Sequence, residues 1–146
     1  MNQAIQEFID GKRVAVVGAS RQGNKFGNIA AKELGQRGYQ VYIVHPEAKE
    51  IDGQPCYANL EAVHKQVDGV LVSVPPQQGM NVLKDAAAVG LRNVWVQQQG
   101  DSPDLIALGE SLDLNLVTGK CILMYAPPVR SFHAWHRGFM RLVGKL

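Results

Sequence analysis

The chain of 146 residues has few cysteines, no long apolar run and no compositionally biased segment. Its two cysteines, Cys56 and Cys121, are too few for a disulfide scaffold and too far apart for a CxxC redox or zinc motif. No run approaches the roughly 18 apolar residues that a membrane span needs. The first residues combine neither a basic start nor an apolar stretch, so we expect no signal peptide and a reducing, cytoplasmic location. These features exclude a secreted disulfide scaffold, a membrane-spanning protein and a zinc finger.

Acidic residues are absent after Asp113, although the whole chain carries a net charge of only +2. Residues 1–119 hold ten Lys or Arg and thirteen Asp or Glu, whereas residues 120–146 hold five Lys or Arg and no acid. This asymmetry predicts an anionic ligand or an acidic partner near the C-terminus. The acidic body of the chain excludes a general nucleic-acid binder.

Short β-branched runs alternate along the chain with longer amphipathic segments, a pattern typical of a parallel sheet with helical crossovers. The length predicts a single domain over residues 1–146. We therefore predict an α/β fold, a doubly wound, Rossmann-like parallel sheet of five strands with flanking helices. The predicted strands are residues 13–17, 41–44, 69–74, 94–96 and 114–117, and the predicted helices are residues 4–9, 26–36, 59–66, 77–88 and 103–112, with a closing helix at about 131–144.

The loop after the first predicted strand has features of a phosphate-binding loop. It opens with the small residues Gly18, Ala19 and Ser20, which let a ligand approach the backbone, and it leads into a helix N-terminus that favours anions. Arg21 and Lys25 add positive charge, although the loop lacks the full GxGxxG pattern. We expect Ser20 to donate to phosphate or to cap the helix. A turn that only packs strand against helix is the alternative.

The end of the second predicted strand bears on the class of nucleotide. NAD-binding proteins place Asp or Glu there to hold the ribose diol, whereas this chain has His45 and Pro46, with Lys49 close behind. His and Lys tolerate or attract a phosphorylated ribose, so these residues favour NADP or coenzyme A. Glu47 keeps the NAD hypothesis open, and an ordinary strand-end hydrogen bond is the alternative for His45.

An ordered series of short motifs runs from about Lys12 to Cys121. With this series the chain resembles the small stand-alone CoA-binding proteins, which are related to the Rossmann-like CoA-binding domain of succinyl-CoA synthetase alpha subunits. His45, where the family more often has Asn, and the run of three glutamines at residues 97–99 depart from the family pattern. The motifs are Gly18-Ala19-Ser20, Lys25-Phe26-Gly27, Gly38-Tyr39-Gln40-Val41, Pro46, Ile51-Asp52-Gly53 with Tyr57 and Leu60, Val67-Asp68, Val74-Pro75, Trp95-Val96-Gln97 and Cys121.

The resemblance implies a site for coenzyme A or an acyl-CoA. Residues 18–20 would line the pyrophosphate, Pro46 and its neighbours would edge the adenosine with Lys49 near its phosphate, and Val74 with Pro75 would form the opposite wall. Strand termination and helix initiation are the alternative for Val74 and Pro75. The predicted cofactor-binding residues are Gly18, Ala19, Ser20, Arg21, Lys25, Phe26, His45, Pro46, Lys49, Val74 and Pro75.

The sequence contains no recognisable catalytic arrangement. The residues around Ser20 do not form a GxSxG nucleophile elbow, and no acid/base pair or metal site is visible. We therefore predict binding of coenzyme A or an acyl-CoA, without catalysis. Two alternatives stay open: an NAD(P)-binding enzyme or redox sensor that uses the same cleft, and an interaction module whose nucleotide site is vestigial.

The C-terminal segment combines an aromatic stripe with a basic face. A helix docked by its stripe, with the basic face in solvent, is one interpretation. Contact of the basic face with ligand phosphates or with an acidic protein partner is another, and an uncovered stripe would favour a homodimer. At helical spacing, the stripe comprises Phe132, Trp135, Phe139 and Leu142, and the basic face comprises His133, Arg137 and Arg141.

Overall fold

Helices and strands alternate along residues 2–128, which are the part of the chain that the computed structural model describes. The closing helix predicted at about 131–144 lies outside these residues. In chain order the elements are α1 (Gln3–Asp10), β1 (Arg13–Val17), α2 (Phe26–Gln36), β2 (Gln40–Val44), β3 (Glu50–Ile51), β4 (Gln54–Tyr57), β5 (Gly69–Val72), α3 (Pro76–Ala88), β6 (Asn93–Gln97), α4 (Pro103–Ser111) and β7 (Asn115–Lys120), with short 3-10 helices at Leu60–Ala62 and Ile122–Met124.

The strands form one sheet in the order β3-β4-β2-β1-β5-β6-β7. All neighbouring strands are parallel except β3 and β4, which pair antiparallel. Strand order reverses at β1, which lies between β2 and β5, and Val17 at its end pairs with both Val44 and Val72. The three strands therefore end at the same level, at the switch point where doubly wound sheets bind ligands. The predicted α/β class is confirmed.

The strand count differs from the prediction, because the structure adds the short hairpin of β3 and β4 to the five predicted strands. Asp52 and Gly53 connect the two strands with φ angles of 52° and 79°. Positive φ at both central residues is the mark of a type I′ turn, for which Asp-Gly is a favoured sequence. The hairpin is too short to carry an apolar pattern, since its strands have two and four residues. The helix predicted at residues 59–66 is likewise only a 3-10 turn at Leu60–Ala62.

Two apolar layers hold the helices against the sheet. On one face, α1 and α2 cover a core that includes Trp95, which is fully buried and meets Phe8 edge to face at 5.4 Å between ring centroids. On the other face, α3 and α4 cover a second core that includes Leu83 and Leu105. The central strands are buried on both sides, as in parallel sheets generally. No described helix is long and apolar enough to cross a membrane.

Candidate functional site

The loop between β1 and α2 is packed tightly at the carboxyl end of the sheet. Gly18 has a φ of 131°, and a Cβ atom there would collide with the carbonyl oxygen of Ser73, directly after β5. A Cβ atom on Gly27, in the first turn of α2, would collide with the backbone of Gly18 and Ala19. The two glycines therefore allow the end of β1, the end of β5 and the N-terminus of α2 to meet.

A buried asparagine in the first turn of α2 holds this loop. Asn28 is 5% exposed, and its Oδ1 accepts hydrogen bonds from the backbone N–H of Ser20 at 2.9 Å and of Lys25 at 3.3 Å. Its Nδ2 donates to the carbonyl oxygen of Ser20 at 3.0 Å. These backbone groups of the loop have no hydrogen-bond partner in a helix or strand, and the Asn28 side chain supplies one.

Ser20 does not cap α2, which corrects one of the two roles expected for it. The residue at the N-cap position is Lys25, and the Ser20 hydroxyl donates to Asn24 Oδ1 at 3.1 Å. The helix begins too far along the chain for Ser20 to reach it as a cap, because the five residues from Arg21 to Lys25 form an exposed turn in between.

The segment after β2 lies beside this loop. His45 accepts hydrogen bonds at Nδ1 from the backbone N–H of Glu47 at 3.0 Å and of Ala48 at 2.9 Å, so it stabilises the turn locally. Arg21 reaches across from the β1 loop and pairs with Glu47 at 3.1 Å. Both partners are largely exposed, so the pair contributes little to stability and leaves Arg21 available to an anion. Pro46 and Lys49 are also exposed at this edge.

The segment after β5 completes the edge. The backbone N–H of Ser73 donates to the carbonyl oxygen of Val17 at 2.8 Å, which joins the ends of β5 and β1. Val74 is half-buried against the core under α3, and Pro75 precedes Pro76 at the start of that helix. This arrangement fits the alternative of strand termination and helix initiation, and Ser73, directly before these two residues, is the one that approaches Gly18.

The structure turns the side chains of two of the predicted residues toward the core. Phe26 packs its ring against the core under α1 and α2, and the side chain of Ala19 is buried with Ile43 and Ile51. Phe26 is the first residue of α2, where backbone N–H groups have no partner within the helix. Its amide, not its ring, is therefore the group that an anion at the loop would meet.

The sequence interpretation did not assign Asn28 or Asp52 to the site, although Asp52 belongs to the motif Ile51-Asp52-Gly53. Asn28 Nδ2 donates to Asp52 Oδ2 at 3.0 Å, which ties the Gly18 loop to the β3–β4 turn. Asparagine inside a helix is unfavourable enough to be a signal. No local pattern, however, indicates that its partner is a hairpin residue 24 positions away.

The site is suited to binding an anion. Arg21 and Lys25 place exposed positive charge just before the N-terminus of α2, whose dipole adds a further attraction for negative groups, and Lys49 is exposed in the segment after β2. Cys56, in neighbouring β4, is no activated nucleophile, because burial raises the pKa of its thiol and Glu50 raises it further.

Comparisons with known proteins agree with this fold. Over 77% of its length the chain is 28% identical to Acetate–CoA ligase (ADP-forming) I from Archaeoglobus fulgidus, of which it covers only 18%. Its fold is similar to that of a conserved hypothetical protein from Pyrococcus furiosus, with a TM-score of 0.73 and 34% identity over 77% of this chain and 97% of that one. It is also similar to the apo dinucleotide-forming acetyl-coenzyme A synthetase 1 from Candidatus Korarchaeum cryptofilum, with a TM-score of 0.61 and 25% identity over 72% of this chain and 25% of the synthetase.

The family assignment comes from the match to a family model. The model of the CoA binding domain matches residues 12–127, which include every element from β1 to β7 and the whole Gly18 loop. The resemblance inferred from the short motifs is thereby confirmed. The chain belongs to the CoA binding domain family.

Proposed function

We propose that the protein binds coenzyme A or an acyl-CoA at the carboxyl ends of β1, β2 and β5. Membership in the CoA binding domain family carries this proposal, since the family match spans the whole edge at which these strands end. We assign no catalytic role to any residue of the site. Bound coenzyme A would supply a thiol that carries acyl groups, and the protein would supply binding and orientation.

The residues at this edge fit the anionic half of such a ligand. The pyrophosphate would be held by the loop of Gly18, Ala19 and Ser20 and by the first amides of α2. The exposure of residues 21–25, between this loop and the first turn of α2, supports this. The loop is also preorganised by Asn28, so that binding costs little ordering of the backbone.

Positive charge at the edge suits a ligand with an additional phosphate on its ribose. His45 follows β2 at the position where NAD-binding proteins hold the ribose diol with a carboxylate, and Lys49 lies four residues further along the chain. The acidic residue nearest to that position, Glu47, is paired with Arg21. We propose that Lys49 and Lys25 attract the phosphates of coenzyme A and that His45, Pro46, Val74 and Pro75 shape the walls of the site.

Calorimetric titration of the purified full chain with coenzyme A, dephospho-CoA, NAD and NADP tests the proposal. The protein is first unfolded in a parallel sample and analysed for ligand carried through purification. We expect saturable binding of coenzyme A that is weaker for dephospho-CoA. Lys25→Gln should weaken binding, whereas Lys84→Gln on the exposed side of α3 is the matched control and should leave it unchanged.

Each other outcome contradicts the proposal in a different way. Preference for NADP or NAD would favour the alternative of a nicotinamide-dependent enzyme or sensor. Absence of binding by a protein free of carried ligand would favour an interaction module with a vestigial site. A cytoplasmic location and a homodimer or acidic partner at the C-terminal segment stay predictions.

A further inference from the structure

The imidazole of His45 holds the segment between β2 and the β3–β4 hairpin. Its Nδ1 accepts hydrogen bonds from the backbone N–H of Glu47 at 3.0 Å and of Ala48 at 2.9 Å. Within residues 2–128, neither of these N–H groups donates to a backbone carbonyl oxygen. The ring of His45 therefore supplies the acceptor that both amides need.

The two ends of this segment are attached to β4 independently of the imidazole. The backbone N–H of His45 donates to the carbonyl oxygen of Tyr57 at 2.9 Å, and the N–H of Cys56 donates to the carbonyl oxygen of Lys49 at 2.9 Å. The ring of His45 thus determines only the path of residues 46–48 between the two attachments. Loss of its hydrogen bonds would rearrange this turn without unfolding the sheet.

Both residues that the imidazole holds contact the loop after β1. Glu47 pairs with Arg21 at 3.1 Å. Ala48 is half-buried and packs against the apolar cluster that contains Ala19. The turn stabilised by His45 therefore connects the end of β2 with the loop to which we assign the pyrophosphate of the ligand.

The two hydrogen bonds require a neutral imidazole. A backbone N–H can only donate, so Nδ1 must present its lone pair and the single ring proton must lie on Nε2. A second proton would occupy Nδ1 and would place a donor against the N–H groups of Glu47 and Ala48. Protonation of His45 and closure of the turn therefore exclude each other.

Histidine is the side chain whose ordinary titration falls between pH 5 and 8. Carboxylates, amines, guanidinium groups, phenols and thiols ordinarily titrate outside that range, and burial raises the pKa of the Cys56 thiol further away from it. The charged and titratable groups that lie next to the turn in the chain, or are joined to it by the contacts above, are Arg21, Glu47, Lys49, Glu50, Cys56 and Tyr57.

We propose that His45 is a positioning residue that couples proton binding to ligand binding at the candidate site. In its neutral form it closes the turn that sets Glu47 and Ala48 against the loop after β1. A proton at Nδ1 opens the turn, so the affinity for the ligand falls in mild acid. The added positive charge attracts the ligand only weakly, because His45 is partly exposed and salt screens the attraction. This coupling rests on the proposed binding of coenzyme A, whereas opening of the turn needs no ligand.

Amide exchange of the ligand-free full chain, measured by NMR, tests the opening of the turn. Histidines without such contacts titrate near pH 6.5, so about nine-tenths of them are charged at pH 5.5 and about one-tenth at pH 7.5. The protection factors of the Glu47 and Ala48 amides, corrected for intrinsic exchange at each pH, should therefore fall about tenfold from pH 7.5 to pH 5.5.

Two substitutions at His45 separate the effect of the proton from the effect of the acceptor. His45→Asn should remove the pH dependence of protection, because an asparagine oxygen accepts from the same backbone positions and does not titrate. His45→Ala should leave both amides unprotected at either pH. Retained protection of the β1 amides shows that each variant is folded.

Calorimetric titration with coenzyme A at pH 7.5 and pH 5.5 tests the coupling to the ligand. The wild type should lose about three- to tenfold more affinity in acid than His45→Asn. The two proteins are compared at each pH because the ribose phosphate of coenzyme A itself takes up a proton near pH 6. His64→Asn, which changes the other histidine within residues 2–128, is the matched control and should keep the pH dependence of the wild type.

Protection of the two amides that does not change with pH in the wild type overturns the proposal. An equal loss of affinity in the wild type and His45→Asn also overturns it, as does tighter binding in acid by the wild type alone, since the imidazolium would then act as a charge on the ligand. Absence of coenzyme A binding at both pH values overturns the proposed function and the coupling with it. A tenfold loss of amide protection in the same samples would still establish the proton-dependent turn, so the two failures are distinguishable.

Discussion

Asn28 and Asp52, 24 positions apart in the chain, are joined by a hydrogen bond of 3.0 Å between Nδ2 and Oδ2. Asn28 is almost fully buried and also bonds both the N–H and the carbonyl oxygen of Ser20. One side chain therefore connects the helix N-terminus, the loop after β1 and the β3–β4 turn. The shape of the candidate site therefore depends on this carboxamide.

Replacing Asn28 by Leu should destabilise the protein, because it leaves the buried polar groups of Ser20 without partners. We expect a loss of about 1–3 kcal/mol in the free energy of unfolding, measured by urea denaturation. Asp52→Asn is the control, since an amide oxygen can still accept from Asn28 and asparagine tolerates the φ of 52°. A loss as large in Asp52→Asn as in Asn28→Leu would contradict this account.

Gly18→Ala should be more harmful than Gly53→Ala, although both glycines have positive φ. The new Cβ atom on Gly18 would collide with the backbone oxygen of Ser73, whereas the space around Gly53 is open. At Gly53 we expect only the conformational cost of about 1–2 kcal/mol. At Gly18 we expect the same conformational cost and, in addition, a displacement of the loop. This displacement should be measurable as faster hydrogen exchange of the amides of residues 18–25. Equal effects at the two positions would show that the contact with Ser73 can relax.

The stability of the protein should fall in alkaline solution through Tyr39. Burial raises the pKa of Tyr39 from its ordinary value of 10 to about 12, and its hydroxyl donates to the carbonyl oxygen of Ile9 at 2.9 Å. As pH rises, the unfolded chain loses the Tyr39 proton before the folded chain does. The contribution of Tyr39 to the free energy of unfolding is therefore complete below pH 10, and it declines between about pH 10 and 12 by up to about 3 kcal/mol.

Tyr39→Phe provides the comparison for this effect. It removes the hydrogen bond and should cost about 1 kcal/mol at neutral pH. Its free energy of unfolding should then decline less steeply than that of the wild type above pH 10. Parallel curves for the two proteins would mean that other groups cause the alkaline loss.

Asp68 should stabilise the protein at neutral pH and lose that effect in acid. Hydrogen bonds from Arg13, with a side-chain contact of 2.7 Å, hold the pKa of Asp68 below its ordinary value of 3.8. The contribution of ionised Asp68 to the free energy of unfolding is therefore present above pH 3.8. It is lost as the pH falls through the pKa that Asp68 has in the folded protein. Because both side chains are partly exposed, we expect Asp68→Asn to cost only about 1 kcal/mol at pH 7.

Denaturation curves of the wild type and Asp68→Asn across pH 2–7 measure this difference. The difference in free energy of unfolding between the two proteins should shrink steadily in the acid part of the range. Asp85→Asn, at an exposed position of α3, should show no such pattern. A difference that stays constant in acid would assign the effect to packing instead of charge.

Arg21 and Glu47 should affect ligand binding in opposite directions if the proposed function is correct. Arg21→Gln removes a positive charge beside the loop, whereas Glu47→Gln releases Arg21 from its 3.1 Å ion pair. We expect the affinity for coenzyme A to fall about two- to fivefold in the first variant and to rise by a similar factor in the second. Both effects should weaken with added salt in calorimetric titrations. Weaker binding in Glu47→Gln would indicate that the carboxylate itself contacts the ligand.

Elements with strong local patterns were predicted well. The bounds of β1 and α2 match the predicted residues 13–17 and 26–36, because an apolar strand followed by an amphipathic helix carries its signal within a few residues. The β3–β4 hairpin was missed even though Asp52-Gly53 is a hairpin sequence. Its strands are only two and four residues long, and Ile51 is the one buried residue in them, so they are too short to produce a pattern.

Among the candidate site residues, the sequence correctly indicated which ones follow parallel strands. Chain order alone indicates this much, because the carboxyl ends of adjacent parallel strands meet at one edge. It did not indicate that His45 would use Nδ1 to hold its own turn, or that the ring of Phe26 would face the core. Those orientations depend on which face of each element becomes buried.

The sequence by itself determined the α/β class, the order of most strands and helices, and the family to which the chain belongs. Hydrophobic periodicity and short motifs are local features of the chain, so they can be recognised without knowing which residues come into contact in the folded protein. Only the tertiary structure decided that Asn28 meets Asp52 and that Arg37 holds Leu123 and Ala126. These features join residues distant in the chain, and such contacts arise only when packing of the helices on the sheet sets the distances between them.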